Sequence, residues 1–571
     1  MMRNKKSWVL KFSLILLLTP FVGFAKAKSE LKIGITQEFE NLNPIISSML
    51  ATTYIQYMVT RPLIVLTPSG KWLPVLVTEI PSLENGKAKI IQEGTKKKLI
   101  ADWEIKANAK WGDGKPVTAH DFVFTRDVTM DPNTSTSQRD AWENMEKIDI
   151  DTKNPKKFTI TYKEARWNFN RDMAVLPLVP KHIEETVFKK HGKQAQGYDK
   201  NSLYTTQATN PGLYNGPYVV KEIKLGSHVT LEPNPHFFGK KPEIEIITLK
   251  LIPNTGTLEA NLRSGSIDMI SPLGLAFDQA LAFEKKVKAE KLPYDVHFKP
   301  SLTYEHIDLN LSNEFLKDVK VRKALVHSIN RDELSQALFD GRQPKAIHNI
   351  APVDPWYTDS DKDIVKYPYS RRTAQKLFKD AGWEKGADGF LYKNGKKLSL
   401  QIMTTAGNKV RELVQTYLQE QWKNVGVEIT IKNEQARVFF GETTRKAAFP
   451  AMAMYAWISS PEKTPKTTLH STYIPTKKNN YSGQNTTGWI NKEVDKLIED
   501  LDIEFDAIKR KEISAKILYH YTNDVPVIPL YYRSDISVTP KNISGYEITG
   551  TQYPETWEVE NWKLKAANVN G

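Results

Sequence analysis

The chain has 571 residues, 40% of them hydrophobic and 26% charged, with 80 Lys and Arg against 66 Asp and Glu for a formal net charge of +14. Hydrophobic cores stop growing at about 250–300 residues, so this length excludes a single core and predicts two or three domains, while the composition excludes global disorder. The cations are scattered among the acids, the longest run being Lys96-Lys97-Lys98 in an expected loop, which argues against nucleic acid as a partner.

At the start, Arg3, Lys5, Lys6 and Lys11 precede an apolar run from Phe12 to Ala25, followed by Ala25-Lys26-Ala27. A basic region, a short apolar core and an A-x-A site read as a secretory signal peptide over residues 1–27, cut after Ala27. As a helix the run would span about 21 Å, short of the ~30 Å hydrocarbon core of a bilayer. Loss of the five cationic residues of this leader leaves +9. The chain has no cysteine, so it carries neither a disulfide nor a lipid on an N-terminal cysteine, and a free periplasmic protein is expected.

Leu31, Ile33 and Ile35 alternate as a strand that Asn41, Asn43 and Pro44 bring to a stop. A helix opens at Asp318 and buries Val321, Ala324, Leu325 and Ile329. Another runs between an N-cap at Ser370 and Gly382. After a hairpin turn at Asn394-Gly395, Leu398–Met403 reads as a strand. Val410, Leu413, Val414, Tyr417, Leu418 and Trp422 then mark one helix face, Gly426 ends the helix, and Val427, Ile429 and Ile431 form the next strand. This is a βαβ unit, with its strands parallel. A last helix opens near Asn491 with Val494, Leu497, Ile498 and Leu501 on one face. The class is mixed α/β.

Motifs for catalysis, metals and phosphates are missing from the sequence. It has no H-E-x-x-H, no histidine pair at i, i+4, no phosphate loop and no G-x-S-x-G, so no metal and no cofactor is expected. Ser460 and Lys463, within AMAMYAWISSPEKTP (Ala451 to Pro465), spell S-x-x-K. A serine acyl-enzyme needs both on one helix face, with a later S/Y-x-N and a separate K-T-G strand. Lys466-Thr467-Thr468 lies too close to Lys463 to be that strand, and Tyr521-Thr522-Asn523 follows in the wrong order. No catalytic residue is therefore expected. Trp111, Tyr214, Trp457 and Trp489 stand in polar loops or at strand ends and suit a ligand cleft.

Five segments in order resemble the family 5 extracellular solute-binding proteins, the peptide, nickel and related receptors of ABC importers. They are WEIKANAKWGDGKPVTAHDFVFT (Trp103 to Thr125), YNGPYVVKEIKLGSHVTLEPNPHFFG (Tyr214 to Gly239), NLRSGSIDMI (Asn261 to Ile270), VKVRKALVHSINRDEL (Val319 to Leu334) and VPVIPLYYRSDISVTPKNISGY (Val525 to Tyr546). In the first, Thr118 and Asp121 are placed as a capping box.

The resemblance implies an α/β two-lobed clamshell of the periplasmic binding protein type, type II-like, with an additional domain inserted in the first lobe. Residues 28–68, 176–300 and 526–571 would form the first lobe, 69–175 the insert and 301–525 the second lobe, with hinge strands near Pro300 and Val525. It implies a monomeric receptor that closes on a small solute, by default an oligopeptide, and delivers it to an inner-membrane permease. The peptide binders carry W-x-x-D at the end of a second-lobe strand, the carboxylate meeting the peptide's amino group. Trp457 matches the Trp, but Ser460 stands where the Asp would be, and Glu462 is the nearest acid. Expected cleft residues are Glu38, Phe39, Asn41, Asn43 and Asn215 on the first lobe, and Tyr304, Thr404, Thr405, Tyr455, Trp457, Ser459, Ser460 and Glu462 on the second. Alternatives are a metal-chelate or sugar receptor of the same fold, a chaperone or chemoreceptor partner, and the serine acyl-enzyme.

Overall fold

The computed structural model describes residues 29–565 apart from 38–40, 47–48, 95, 137–138, 480 and 482. The leader and its cut site, Glu38 and Phe39 lie outside the described residues.

The framework is a ten-stranded sheet among the described residues. Its strands in chain order are β1 (Glu30–Ile35), β2 (Tyr218–Lys224), β3 (His228–Pro233), β4 (Ile246–Leu251), β5 (Met269–Ile270), β6 (Tyr294–Leu309), β7 (Ser399–Met403), β8 (Glu428–Ile431), β9 (Met452–Ile458) and β10 (Val527–Pro540). Across the sheet they run β8-β7-β9-β6-β10-β5-β1-β4-β3-β2. The half built on β1–β5 is referred to as the first lobe and the half built on β7–β9 as the second. β1 buries Leu31, Ile33 and Ile35, as its alternation predicts, and pairs in parallel with β4 and β5.

The long strands β6 and β10 belong to both halves. The end of β6 from Thr303 to Leu309 pairs with β9, while Val538, near the end of β10, pairs with Ile270 of β5. Between these stretches the β6–β10 ladder slips: Pro300 faces Ser534 and Tyr304 faces Tyr532, so Ser301, Leu302 and Thr303 stand against Arg533 alone. Such a bulge bends a strand pair locally, and here it falls where the sheet passes from one lobe to the other.

Three large cores flank this frame. One, in the first lobe, gathers Leu31, Ile55, Leu249 and Val229 and takes Val559 and Trp562 from the C-terminal segment. A second, in the second lobe, gathers Ile307, Leu325, Leu400, Leu418, Trp422 and Ile528 and also takes Phe277 and Ala280. The third runs from Leu63 to Leu178 around a four-stranded antiparallel sheet of Ala88–Glu93, Lys96–Glu104, Met145–Ile150 and Lys157–Tyr162.

The local readings hold in most places. β7, the helix Lys409–Lys423 and β8 form the expected parallel unit, with Ser399 opposite Glu428. Asn394 (φ 52°) and Gly395 (φ 74°) make the expected tight hairpin turn. Asp318, Ser370 and Asn491 each accept a backbone N–H as N-caps, and Asp121 accepts from the Thr118 N–H at 2.8 Å, as a capping box requires.

Two readings are corrected. Leu413 lies 40% exposed, outside the stripe of Val414, Leu418 and Trp422. Lys96-Lys97-Lys98 opens a strand rather than forming a loop: Leu99, Ala101 and Trp103 alternate inward and carry the extended backbone outward, where Lys98 pairs with Glu93 and Glu146.

Candidate ligand site at the end of β9

β9 ends between two cavities. Ser459 continues the ladder by donating its N–H to the Leu302 carbonyl at 3.1 Å. Pro461 has no N–H to extend it, Lys463 N–H turns back to the Ser460 carbonyl at 3.3 Å, and Glu462 takes φ 52°. Successive side chains of a strand point to opposite faces. Tyr455, Trp457 and Ser459 therefore line one cavity, of about 80 Å³, while Ile458 lines the other, of about 260 Å³.

The first cavity belongs to the second lobe. β6 contributes Tyr304, His306 and Asp308 by the same alternation, set beside β9 with Tyr304 opposite Trp457 and His306 opposite Tyr455. The His306 ring stacks on Tyr304 at 4.6 Å and meets Tyr455 edge-on at 4.5 Å. Asp308 accepts from the Tyr455 hydroxyl at 2.5 Å and from the Thr486 hydroxyl, with His306 Nε2 at 3.3 Å. Burial pushes the Asp308 carboxyl up, but His306 and the two hydroxyls together hold it below the usual carboxylate range.

Asp354, on the loop before Trp356, is the second acid on this wall. It accepts from the Trp356 N–H at 2.8 Å and the Glu462 N–H at 3.2 Å. Burial, with the Glu462 charge adding, pushes its carboxyl up to about 6. Other wall residues also carry buried polar atoms without a hydrogen-bond partner, among them His306 Nδ1, Asn349 Oδ1, Trp356 Nε1 and Thr464 Oγ1. Buried polar groups in folded proteins are nearly always paired, to protein or to water, so these atoms are free to bind water or a ligand.

The second cavity lies between the lobes. Thr53, Gln56, Tyr57 and Arg61 line it from the first lobe, Ala174–Leu178 from the segment leaving the four-stranded sheet, Gln552 and Tyr553 from the C-terminal segment, and Ile458 from β9. Contacts across the same gap tie the lobes together. Arg171 Nη1 meets Glu462 Oε2 at 2.6 Å, Gln552 Nε2 donates to Ser460 Oγ at 2.5 Å, and the Arg510 guanidinium lies 4.1 Å over the Trp167 ring. Trp167 in turn packs 6.0 Å from Trp356.

Of the residues expected at the cleft, Tyr304, Tyr455, Trp457 and Ser459 come together on the second-lobe cavity. The others among the described residues are placed differently. Thr404 Oγ1 donates to the Met454 carbonyl at 2.8 Å and fastens β7 to β9, and Thr405 accepts from Arg411, which is paired with Glu305 at 2.6 Å. Asn215 is buried and accepts the Arg61 N–H at 2.7 Å, a loop cap rather than a cleft wall. Asn41 accepts from Asn43 N–H, and Asn43 accepts from Ile45 N–H while donating to Ser202, so both tie a turn. Ser460 and Glu462 are engaged in the lobe-to-lobe contacts already described. Trp111, Tyr214 and Trp489 are core residues at no more than 3% exposure; the loops around them fold over so that the rings enter the interior, where Trp111 Nε1 finds Asp121 at 3.4 Å.

His306, Asp308 and Asp354 escaped the sequence reading. For the first two a signal existed: TYEHIDL over Thr303–Leu309 sets Tyr304, His306 and Asp308 on one face of a buried strand. Asp354 sits in a loop whose neighbours in space are far away in sequence, and nothing local marks it.

The comparisons with known proteins agree with this architecture. The chain is 28% identical over 468 residues to the oligopeptide-binding protein AppA of Bacillus subtilis (strain 168), covering 82% of this chain and 81% of the relative. The crystal structure of an oligopeptide binding protein from Thermus thermophilus complexed with a pentapeptide matches 94% of this chain and 96% of its own, with a TM-score of 0.78 and 29% identity. The structure of AppA from Bacillus subtilis in complex with a nonapeptide matches 94% of this chain and 99% of its own, with a TM-score of 0.78 and 26% identity. A family model described as bacterial extracellular solute-binding proteins, family 5, matches residues 91–480, more than half of the chain, and the protein belongs to that family.

Proposed function

We propose that the protein is the substrate-binding component of an ABC importer, that it captures an oligopeptide between its two lobes, and that it hands the peptide to a membrane permease. The observation that carries this is the end of β9, which presents Tyr455, Trp457 and Ser459 to one cavity and Ile458 to the other. An extended ligand laid along this edge touches both lobes, and two cavities beside one strand end suit successive side chains of a peptide. The relatives named oligopeptide-binding proteins, and the two solved structures that hold a pentapeptide and a nonapeptide, support the same ligand class.

Closure follows from the ladder slip at Pro300–Tyr304, about which the lobes rotate. The division into a first lobe of 28–68, 176–300 and 526–571, an insert of 69–175 and a second lobe of 301–525 belongs to this proposal, as do the periplasmic location and the cut after Ala27. No bond is made or broken in this role. Ser460 and Lys463 occupy one tight turn rather than a helix face, and the Ser460 hydroxyl is engaged by Gln552, which disfavours the acyl-enzyme alternative.

Native mass spectrometry of the protein purified from the periplasm tests the proposal. The expected result is a retained mass that fragments as peptide, on a chain beginning at Lys28. A retained ligand with no peptide fragments, or no binding to any oligopeptide library, would overturn it.

A further inference from the structure

We propose that Asp354 receives a protonated amine of the bound ligand, an inference that rests on the oligopeptide reading above. Asp354 is 7% exposed on the wall of the second-lobe cavity. Two backbone N–H groups hold its carboxylate, and no Lys, Arg or His side chain stands among the groups that hold or shift it.

The charges around it do not help. The Arg171 guanidinium is taken by Glu462, whose own charge adds to burial in disfavouring a negative Asp354. Asp308, the other acid of the cavity, already has His306 and two hydroxyls. Lys463 lines the same cavity but is not among the charges that shift the Asp354 carboxyl. A buried carboxylate lacking a cation is costly, and a ligand cation relieves that cost.

The geometry also chooses the kind of cation. Trp356 N–H and Glu462 N–H each occupy Asp354 oxygens, leaving less than the clear two-oxygen edge that a guanidinium fork uses. A compact ammonium, with its three donors free to rotate, fits the remaining lone pairs. Beside the acid, His306 Nδ1, Trp356 Nε1 and Thr464 Oγ1 on the same wall have no partner within the chain and are open to polar groups of a ligand. The place is informative too. Asp354 holds the turn on which Ser460 stands, the Ser460 hydroxyl is used by Gln552, and Glu462 is used by Arg171, so the carboxylate within that turn's reach that backbone alone holds is Asp354.

The amine has two sources, the peptide's α-amino end or a lysine side chain. The test uses three pentapeptide libraries lacking Arg and His: one with a free α-amine and no Lys, the same library N-acetylated, and an N-acetylated library with one Lys. Affinities are measured for the wild type and for Asp354→Asn, which keeps a carbonyl oxygen for the Trp356 N–H. One of the two amine-bearing libraries is expected to bind the wild type about 30-fold or more tighter than the amine-free one, the scale of a buried charge left without its partner. Which one does so assigns the source. In Asp354→Asn that preference is expected to collapse to within about threefold, with amine-free binding retained as proof of fold. If the wild type binds all three libraries equally, or Asp354→Asn keeps the preference, the inference is overturned while the oligopeptide reading stands. If none of the libraries binds the wild type, the oligopeptide reading falls and takes the inference with it.

Discussion

Arg171 and Glu462 meet at 2.6 Å and join the segment leaving the four-stranded sheet to the turn after β9. The guanidinium also lies 4.6 Å over the Trp167 ring, whose other neighbours are Arg510 and Trp356. Glu462, the acid nearest the vacant W-x-x-D position in sequence, is thus committed to holding the lobes together.

That pairing gives the first prediction. The two side chains are 27% and 20% exposed, so solvent screens the pair and its worth is about 1 kcal/mol or less. Arg171→Ala is expected to weaken peptide affinity up to about fivefold. The loss should appear in the dissociation rate, because the contact exists only when the lobes are together. Glu462→Gln should do the same, and the two changes combined should cost no more than either alone. Stopped-flow release of a bound peptide measures this; unchanged dissociation in both variants would show that the pair does not latch the closed form.

Trp457 carries the second. Its ring lies on the cavity wall opposite Tyr304, half-buried and outside the large cores. Trp457→Ala removes ligand-facing surface, and with aromatic anchors worth about 2 kcal/mol or more at such sites, at least a tenfold loss of affinity is expected. Calorimetric titration with the best-binding peptide measures it, alongside a melting curve that should stay cooperative. Unchanged affinity would remove the cleft from the end of β9.

These residues also mark how far the sequence could be read. Elements set by local periodicity were legible: β1, the β7–helix–β8 unit and the caps at Asp318, Ser370 and Asn491 depend on neighbours three or four residues away. The aromatic rim of the site was legible in part, because Trp457 stands where an apolar strand gives way to Ser459, Ser460 and Pro461. Of the acids, Asp308 was marked only by its alternation with Tyr304 and His306, and Asp354 was not marked at all. Asp354 and Trp356 approach Glu462 only because loops about a hundred residues apart in the chain converge, a pairing no local pattern encodes. The same reason explains Trp111 and Tyr214: polar neighbours suggested exposure, and tertiary packing buried them.

Gly550 gives the third prediction. It adopts φ 71°, its carbonyl accepts the Leu302 N–H at 2.8 Å, and a Cβ placed on it would lie 2.5 Å from the Pro300 carbonyl oxygen. It thus straps the ladder slip between the lobes with backbone that only glycine fits. Gly550→Ala must strain both the left-handed conformation and that contact, and a loss of more than about 1 kcal/mol is expected. Denaturant unfolding measures the stability, and small-angle scattering with and without peptide measures closure. A variant as stable as the wild type would show that this strap is slack.

Glu555 carries a pH dependence whose sign can be worked out. It is 3% exposed, with its Oε1 3.3 Å from the Tyr546 hydroxyl. Burial, with the charge of Asp535 adding, pushes its carboxyl from 4.5 up to about 7, against a backbone hydrogen bond and the Tyr546 hydroxyl, which favour the charge. The folded protein therefore keeps a proton that the unfolded chain gives up between pH 4.5 and about 7, and folding binds more protons across that window. Stability contributed by this group consequently falls as pH rises through the window and levels off above about 7. A shift of this size corresponds to about 3 kcal/mol. Asp535, pushed up to about 6 by its own burial, slopes in the same direction, so the difference between variants is what isolates Glu555. Glu555→Gln is expected to match the wild type near pH 4.5 and to exceed its stability by up to about 3 kcal/mol at pH 8. Urea unfolding of both proteins across that range checks it. Parallel profiles would mean that Glu555 is charged in the folded protein, with its hydrogen bonds outweighing its burial.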